Sequence, residues 1–296
     1  MDYYLGVDGG GTKTVALVCD ETGRDVITVT GDSINYRSEG MTAARAHLRD
    51  ILSEIERKTG IAAFRGACIG SSALFGAATE EETRAFTEDL LRAERIRMDS
   101  DLFIALKACG TANALAAICG TGSMAAAFDG GGNVVTRGGF GYLFGDEGSG
   151  YAIAREALFI AARAAEGTEP PTRLTEALCA HFGVKDVYGF TALAYDPPLP
   201  RKELAAFAPC VTRCAGQGDP AALAVLRRQA DLFADTVRSL AAVLPERPEV
   251  FLYGGVFTHD QIFTARFKER IACCCEACGM LPAPPVRGAA LAAMAL

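Results

Sequence analysis

Hydrophobic residues near the N-terminus fall into short runs separated by glycine-rich or polar turns. Residues 3–7 and 15–18 are two such runs, and a third follows at residues 26–30. Short apolar runs bounded by turn residues are typical of strands. The chain is therefore predicted to begin with three successive strands.

The same order of runs returns near residue 115. Runs at residues 115–119 and 124–128 flank a second glycine turn, and a third run lies at residues 133–136. A repeated unit of this kind, followed each time mainly by helical sequence, indicates two similar lobes. We expect domains over residues 1–114 and 115–296. The second is larger and more helical, and the last helix could pack back on the N-terminal lobe.

Other segments carry a helical period or read as single strands. In residues 41–58, apolar side chains recur three and four positions apart with charged residues between them, which predicts an amphipathic helix. Further helices are predicted at residues 80–92, from 101 onwards, and at 149–165, 171–182, 201–215, 220–244 and 288–296. Further strands are predicted at residues 65–70, 96–98 and 250–253.

The first glycine turn has the composition of a phosphate-binding hairpin. Its residues are Asp8, Gly9, Gly10, Gly11, Thr12, Lys13 and Thr14. Glycines permit positive φ and let N–H groups approach an anion, while the Thr12 and Thr14 hydroxyls add donors. Asp8 is suited to hold Mg²⁺ through water, and Lys13 is expected to have only an accessory role. An ordinary glycine hairpin is the alternative.

The second turn favours the phosphate interpretation. It reads Gly120, Thr121, Gly122 and Ser123. Two hairpins of this type, facing each other across a cleft between two lobes, would grip a nucleotide.

Composition fits a two-lobed enzyme that acts on a small molecule. The chain has 296 residues, half of them hydrophobic, and a net charge of −7 with a pI near 5.2, which argues against a nucleic-acid partner. It contains no apolar run of about 18 residues, and it enters its first strand without a signal-type region. The sequence thus predicts a cytoplasmic protein with no membrane partner.

Eleven cysteines leave one question open. Cys275 and Cys278 have CxxC spacing, and Cys210 and Cys214 lie four apart on a predicted helix. A zinc site needs four ligands, so these pairs would have to meet in space. Reduced thiols on helix faces are the favoured interpretation, and zinc at one equivalent per chain would refute it.

Two common nucleotide fingerprints are excluded. The chain has no GxxxxGK[ST] motif. The spacing Gly120-x-Gly122-x-x-Ala125 resembles a dinucleotide motif, but that motif opens a helix, whereas here a strand-like run leads into another glycine turn. A Rossmann dehydrogenase is therefore not expected.

Several ordered motifs together resemble the sugar kinase branch of the actin, Hsp70 and hexokinase superfamily, specifically the BadF/BadG/BcrA/BcrD-type ATPases and N-acetylglucosamine kinases. The motifs are GVDGGGTKT (6–14), SD (100–101), GTGS (120–123), GGFG (138–141), GDEGSG (145–150) and YGGVF (253–257). The resemblance spans nearly the whole chain. It implies an α/β fold of two actin-like (ribonuclease H-like) lobes with a nucleotide cleft between them.

The resemblance also implies a reaction. ATP and Mg²⁺ are the expected cofactors, and an amino sugar such as N-acetylglucosamine or glucosamine is phosphorylated, with the 6-hydroxyl as the expected acceptor. Asp101 would be the general base, and Gly254 and Gly255 would pack against adenosine. A helix N-cap is the structural alternative for Asp101, and Asp99 is a nearby competitor.

Four residues are implied in sugar binding: Asn35, Gly139, Phe140 and Asp146. Many N-acetylglucosamine kinases have tryptophan at the position of Phe140, so glucosamine or another hexosamine is a real alternative substrate. For Asn35 an ordinary turn residue is an equal alternative, and the acidic loop at residues 145–150 could simply shape the start of the next helix.

Two other functions share this architecture. ATPase subunits activate a partner enzyme, often through a cysteine-bound iron–sulfur cluster at a dimer interface, and non-catalytic sugar sensors are related to transcriptional repressors. Activators typically carry a different second phosphate loop, and a sensor would need a DNA-binding extension. A kinase is the preferred expectation, and a homodimer is a possible assembly.

Overall fold

The computed structural model describes residues 1–189, 191, 195 and 199–296. They form two five-stranded sheets with helices packed on them, which confirms the predicted α/β class with its two lobes. Two compact units can be distinguished. Unit 1 comprises residues 1–114, 132–134 and 281–296, and unit 2 comprises residues 115–131 and 135–280.

Among the described residues, the first nine strands each overlap a strand predicted from the sequence, whereas the last does not. In chain order they are β1 Tyr3–Gly9, β2 Thr14–Asp20, β3 Asp25–Gly31, β4 Phe64–Ser71, β5 Ala93–Ser100, β6 Ala114–Cys119, β7 Ser123–Phe128, β8 Val134–Gly138, β9 Glu249–Tyr253 and β10 Ala277–Met280. The sheet of unit 1 has the order β3-β2-β1-β4-β5, and the second sheet has the order β10-β9-β6-β7-β8.

The helices of the described residues are α1 Tyr36–Glu39, α2 Met41–Thr59, α3 Glu80–Thr87, α4 Asp101–Ala108, α5 Gly150–Ala165, α6 Arg173–Phe182, α7 Arg201–Ala205, α8 Ala208–Gly216, α9 Pro220–Ala241, α10 Gly255–His259, α11 Gln261–Ile271 and α12 Pro285–Met294. None of them is long and apolar enough to cross a bilayer.

In unit 1, three parallel strands end at the same edge of the sheet. β1 pairs antiparallel with β2 but parallel with β4, and β4 pairs parallel with β5. Asp8 is therefore aligned with Gly70, and Gly70 with Asp99. The carboxyl ends of β1 and β5 thus carry acidic residues on either side of Gly70 in β4.

Glycines let α12 lie directly on the sheet of unit 1. A Cβ at Gly6 would lie 2.3 Å from the backbone nitrogen of Ala290, and one at Gly66 would lie 2.3 Å from the carbonyl oxygen of Ala293. Only hydrogen fits at such distances, so larger side chains would push the helix away. The close contact fixes the C-terminal helix in unit 1.

Unit 2 has an aromatic core beneath its sheet. Phe233 of α9, Phe257 of α10 and Phe267 of α11 are buried, and the ring centroids of Phe257 and Phe267 are 4.9 Å apart. Rings in this arrangement add packing energy beyond the area they bury. The cluster holds the short helix α10 against the end of β9.

Several predicted element bounds are wrong, each for a local reason. The helix predicted at 80–92 ends at Thr87, since Glu88 leaves the helical conformation and Asp89 has a φ of 63°. The helix predicted at 201–215 is two helices, because Pro209 has no N–H to bond the preceding turn and starts α8 instead. The last helix begins at Pro285 rather than at residue 288, and α10, α11 and β10 were not predicted.

Candidate active site

The first glycine turn is closed by its own backbone. The N–H of Gly10 donates to the carbonyl of Lys13 over 3.1 Å. Gly11 and Thr12 lie between these two residues and are exposed to solvent. None of Gly9, Gly10 and Gly11 adopts a left-handed φ, so the conformational reason expected for these glycines is wrong. At Gly9 the requirement is steric instead, because a Cβ there would lie 2.5 Å from Ile34.

Thr14 does not offer its hydroxyl to a ligand, which corrects the role expected for it. The residue is fully buried, and its hydroxyl donates to the carbonyl of Asp32 over 2.8 Å while accepting from the N–H of Ile34. These bonds tie β2 to the loop before α1. The Gly10 N–H is likewise used inside the turn, which leaves Gly11, Thr12 and the accessory Lys13 as the accessible part of this hairpin.

Asp8 and Asp101 form an electrostatically coupled pair. Burial and, to a smaller extent, the Asp101 charge raise the pKa of Asp8 to about 6, while Lys13 opposes both. Burial also raises the pKa of Asp101, while the N–H of Leu102 at the start of α4 lowers it. Two half-buried carboxyls that interact electrostatically are a favourable arrangement for binding a cation and for accepting a proton.

Asp101 is not the N-cap of α4, so the structural alternative for this residue is wrong. Ser100 is the N-cap, and its hydroxyl accepts from the N–H of Phe103 over 3.2 Å. Asp99 is buried and accepts from the Arg97 guanidinium and from the N–H of Ser100, each over 2.7 Å. Because Arg97 neutralises Asp99, the geometry favours Asp101 over Asp99 as the base.

The second glycine turn is held by the acidic loop that follows β8. The N–H of Gly120 donates to the carbonyl of Gly122, and the carbonyl of Gly120 accepts from the N–H of Gly150. Ser123 donates its N–H to Asp146 over 3.1 Å and its hydroxyl to the carbonyl of Glu147 over 2.6 Å. Both donors of Ser123 are therefore used, so its expected role as a phosphate ligand is not supported. Thr121 is the exposed residue of this turn.

Asp146 has partners inside unit 2 that the sequence did not indicate. It is buried with a φ of 65°, accepts from Ser123 through Oδ1 and forms an ion pair with Arg201 through Oδ2. The Arg201 guanidinium also donates to the carbonyl of Thr121 over 3.2 Å. Both carboxylate oxygens of Asp146 therefore have partners within unit 2, and these contacts stabilise the second hairpin.

A pocket of about 460 Å³ opens beside this hairpin in unit 2. Its lining includes Gly120, Thr121, Ile153, Lys202, Ala205, Pro209, Gly255, Val256 and His259. A largely apolar pocket of this size with a few polar groups suits a nucleoside. The second hairpin and one of the two glycines expected at the adenosine, Gly255, therefore line the same pocket.

Gly254 has a strict requirement for glycine next to that pocket. Its φ is +114°, and a Cβ there would lie 2.2 Å from the carbonyl oxygen of Cys119. The backbone after β9 can approach the end of β6 only because no side chain intervenes. Gly254 thus sets the position of α10, which begins at Gly255.

The remaining residues expected to bind sugar have separate local roles. Asn35 is the N-cap of α1, with its Oδ1 accepting from the N–H groups of Arg37 and Ser38 and its Nδ2 donating to Ser72 over 3.0 Å. In unit 2, Gly139 has a φ of +73°, and a Cβ there would lie 1.8 Å from Met124. This turn leaves the ring of Phe140 75% exposed.

All eleven cysteines are free thiols, and the described residues contain no group of three or more His, Cys, Asp or Glu side chains able to hold a metal ion. Cys275 is buried and donates to the carbonyl of Ile271, while Cys278 lies in β10, where burial raises its pKa to about 11. These thiols follow α11 rather than lie on a helix face.

Comparison with known proteins adds a family to this geometry. A family model described as the BadF/BadG/BcrA/BcrD ATPase family matches residues 5–293. The chain is similar to the N-acetyl-D-glucosamine kinase of Dictyostelium discoideum, with 27% identity over 81% of this chain and 79% of the relative. It is also similar to the glucosamine kinase GspK of Vibrio cholerae serotype O1, with 29% identity over 78% of this chain and 77% of the relative.

A solved structure shows the fold independently. The crystal structure of a candidate N-acetylglucosamine kinase from Chromobacterium violaceum matches with a TM-score of 0.75 over 98% of both chains, at 24% sequence identity.

Proposed function

Because the chain belongs to the BadF/BadG/BcrA/BcrD ATPase family, we propose that it is an ATP-dependent kinase of amino sugars, with N-acetylglucosamine or glucosamine as substrate and the 6-hydroxyl as acceptor. The observation that carries the proposal is the pair of coupled carboxyls, Asp8 and Asp101, at the ends of parallel strands. Curated relatives named as kinases of these two sugars support the substrate class.

Asp101 acts as the general base in this proposal. Its carboxylate accepts the proton of the attacking sugar hydroxyl, and its raised pKa makes it a better acceptor than an exposed aspartate. At the start of α4, the backbone N–H groups of Asp101 and Leu102 donate to the carboxylate.

Asp8 is proposed to hold Mg²⁺ through water. A carboxylate is the oxygen ligand that this cation prefers, and a bound cation would stabilise the charged form of Asp8, which burial and the Asp101 charge disfavour. When bound, Mg²⁺ neutralises the phosphate oxygens of ATP during transfer. Asp8 itself contributes a fixed negative group at the end of β1.

The nucleotide is proposed to bind through backbone and pocket contacts. Adenosine occupies the pocket of unit 2 beside Gly255, and the exposed Thr121 of the second turn binds phosphate oxygens. In unit 1, the accessible Gly11 and Thr12 of the first turn are suited to bind an anion. Gly139 and Phe140 remain proposed contacts of the sugar, because the exposed ring of Phe140 can pack on a sugar face. Asn35 and Asp146 can reach a sugar only by exchanging bonds that they make within their own units.

ADP release tests this function. Mg·ATP is supplied alone and with N-acetylglucosamine, glucosamine, N-acetylmannosamine, N-acetylmuramic acid or glucose. Stimulation by an amino sugar above the glucose control is expected. Tight ATP binding with no stimulation by any sugar of the panel would contradict the proposal.

The value of kcat/KM should fall on the acidic side at a pH above the ordinary pKa of an aspartate. Both carboxyls must be ionised to act, and the pKa of Asp8 is raised to about 6. We therefore expect kcat/KM to be constant near pH 8 and to fall as the pH drops through about 6. Higher Mg²⁺ should move this fall to lower pH, since a cation favours the charged carboxylate. A profile that stays flat down to pH 4.5 would contradict the assignment.

A further inference from the structure

Arg201 lies directly against the second glycine turn. It is the first residue of α7, and its Nη2 donates both to the carbonyl of Thr121 and to the carboxylate of Asp146. A Cβ at Gly122 would lie 2.5 Å from that same nitrogen. The absence of a side chain at Gly122 is therefore what allows the guanidinium to reach the turn.

Most of the hydrogen-bonding capacity of this guanidinium is unused within the described part of the chain. An arginine has five N–H donors, of which Nη2 supplies two. Among the described residues, Nε is buried without an acceptor, and Nη1 makes no hydrogen bond either. The side chain is 36% exposed, and the ring of Tyr142 lies 5.6 Å from its Cζ.

The surroundings favour an anion as the additional acceptor. A buried N–H without a partner costs stability, so the arrangement is more stable when an acceptor arrives. Guanidinium groups bind phosphate oxygens in a two-pronged geometry. The next residue, Lys202, lines the proposed nucleotide pocket, and so does Thr121, whose carbonyl accepts from the Arg201 guanidinium.

We propose that Arg201 binds the phosphate chain of the nucleotide, exchanging part of its ion pair with Asp146 for a phosphate oxygen. Asp146 then has a second role besides supporting the turn, because it holds the guanidinium in place and competes with the phosphate for it. The inference rests on the proposed use of ATP, but it concerns nucleotide binding alone and does not depend on the identity of the sugar.

Isothermal titration of ATP, ADP and adenosine into the full chain, in Mg²⁺ buffer without sugar, tests the proposal. The variants are Arg201→Ala, Arg201→Lys and Asp146→Asn, with Arg155→Ala as a control that removes one exposed arginine from α5. Asp146→Asn keeps an oxygen that can accept from the N–H of Ser123 but removes the charge that holds Arg201. Melting temperatures establish that each variant is folded.

Arg201→Ala should weaken ATP and ADP binding roughly 10- to 100-fold, as expected for loss of charge-assisted hydrogen bonds, and leave adenosine binding unchanged. The affinity of Arg201→Lys for ATP and ADP should lie between those of Arg201→Ala and the wild type. The affinity of Arg155→Ala should match the wild type. Asp146→Asn should bind ATP at least as tightly as the wild type, because its Arg201 is released.

Two results would overturn the proposal. If Arg201→Ala binds ATP as the wild type does, Arg201 is not a phosphate ligand. If Arg201→Ala and Asp146→Asn weaken ATP binding equally, the ion pair only supports the turn. A wild-type chain that binds no ATP would instead refute the proposed function itself, so the two failures are distinguishable.

Discussion

Asp101→Asn should lower kcat roughly 10²- to 10⁴-fold, the range that a general base typically contributes. Asparagine has the same shape but cannot accept the proton of the sugar hydroxyl. Asp99 cannot take over, because Arg97 and the N–H of Ser100 already bind its carboxylate. ADP release in the presence of the best amino sugar measures the effect.

Measuring Mg·ATP binding distinguishes this catalytic loss from a folding defect. Removing the Asp101 charge takes away one of the causes that raise the pKa of Asp8, so Mg·ATP binding should be retained or slightly improved in Asp101→Asn. Asp99→Asn is the matched control. It breaks the ion pair with Arg97 and should mainly lower stability while turnover persists. Full activity of Asp101→Asn would exclude Asp101 as the base.

Gly254→Ala should cause the largest loss of stability among conservative glycine replacements in unit 2. The new Cβ would lie 2.2 Å from the carbonyl oxygen of Cys119, and alanine at a φ of +114° is strained in addition. Overpacking typically costs about 1–3 kcal/mol, and left-handed strain costs about 1–2 kcal/mol. The free energy of unfolding, measured by urea denaturation, should therefore fall by about 2–5 kcal/mol.

Nucleotide binding should weaken in the same variant, since α10 begins at Gly255 and lines the pocket. Gly279→Ala is a suitable control, because a Cβ there meets nothing within 4 Å and its φ is not left-handed. If Gly254→Ala were as stable as Gly279→Ala, the close approach of the segment after β9 to the end of β6 would be incorrect.

The parts of the fold that depend on local sequence could be predicted. Strands β1 to β3 and β6 to β8 follow from short apolar runs between turns, and the junction of β5 and α4 follows from a strand that runs into Ser100. Asp8 could be singled out because it lies where a strand ends, whereas Asp101 could be singled out only through the resemblance to the family's motifs. Their electrostatic coupling depends on the parallel pairing of β1, β4 and β5, which apolar periodicity alone does not give.

The rest depends on contacts between distant residues. Arg201 lies 55 positions from Asp146 and belongs to no motif, so only the folded chain brings the two together. The positions of Thr14 and Ser123 in the hairpins suggest that their hydroxyls bind a ligand, yet both side chains are buried and donate to the carbonyl groups of Asp32 and Glu147. Each acceptor lies outside the hairpin, so the pattern of the hairpin does not reveal it.

Direct detection of a sugar phosphate tests the central claim. The chain is incubated with Mg·ATP and either N-acetylglucosamine or glucosamine, and the products are followed by phosphorus NMR and mass spectrometry. The account predicts a phosphomonoester on the 6-carbon of the sugar, formed in step with ADP and absent with Asp101→Asn. Release of inorganic phosphate alone, with no phosphorylated sugar from either substrate, would contradict it.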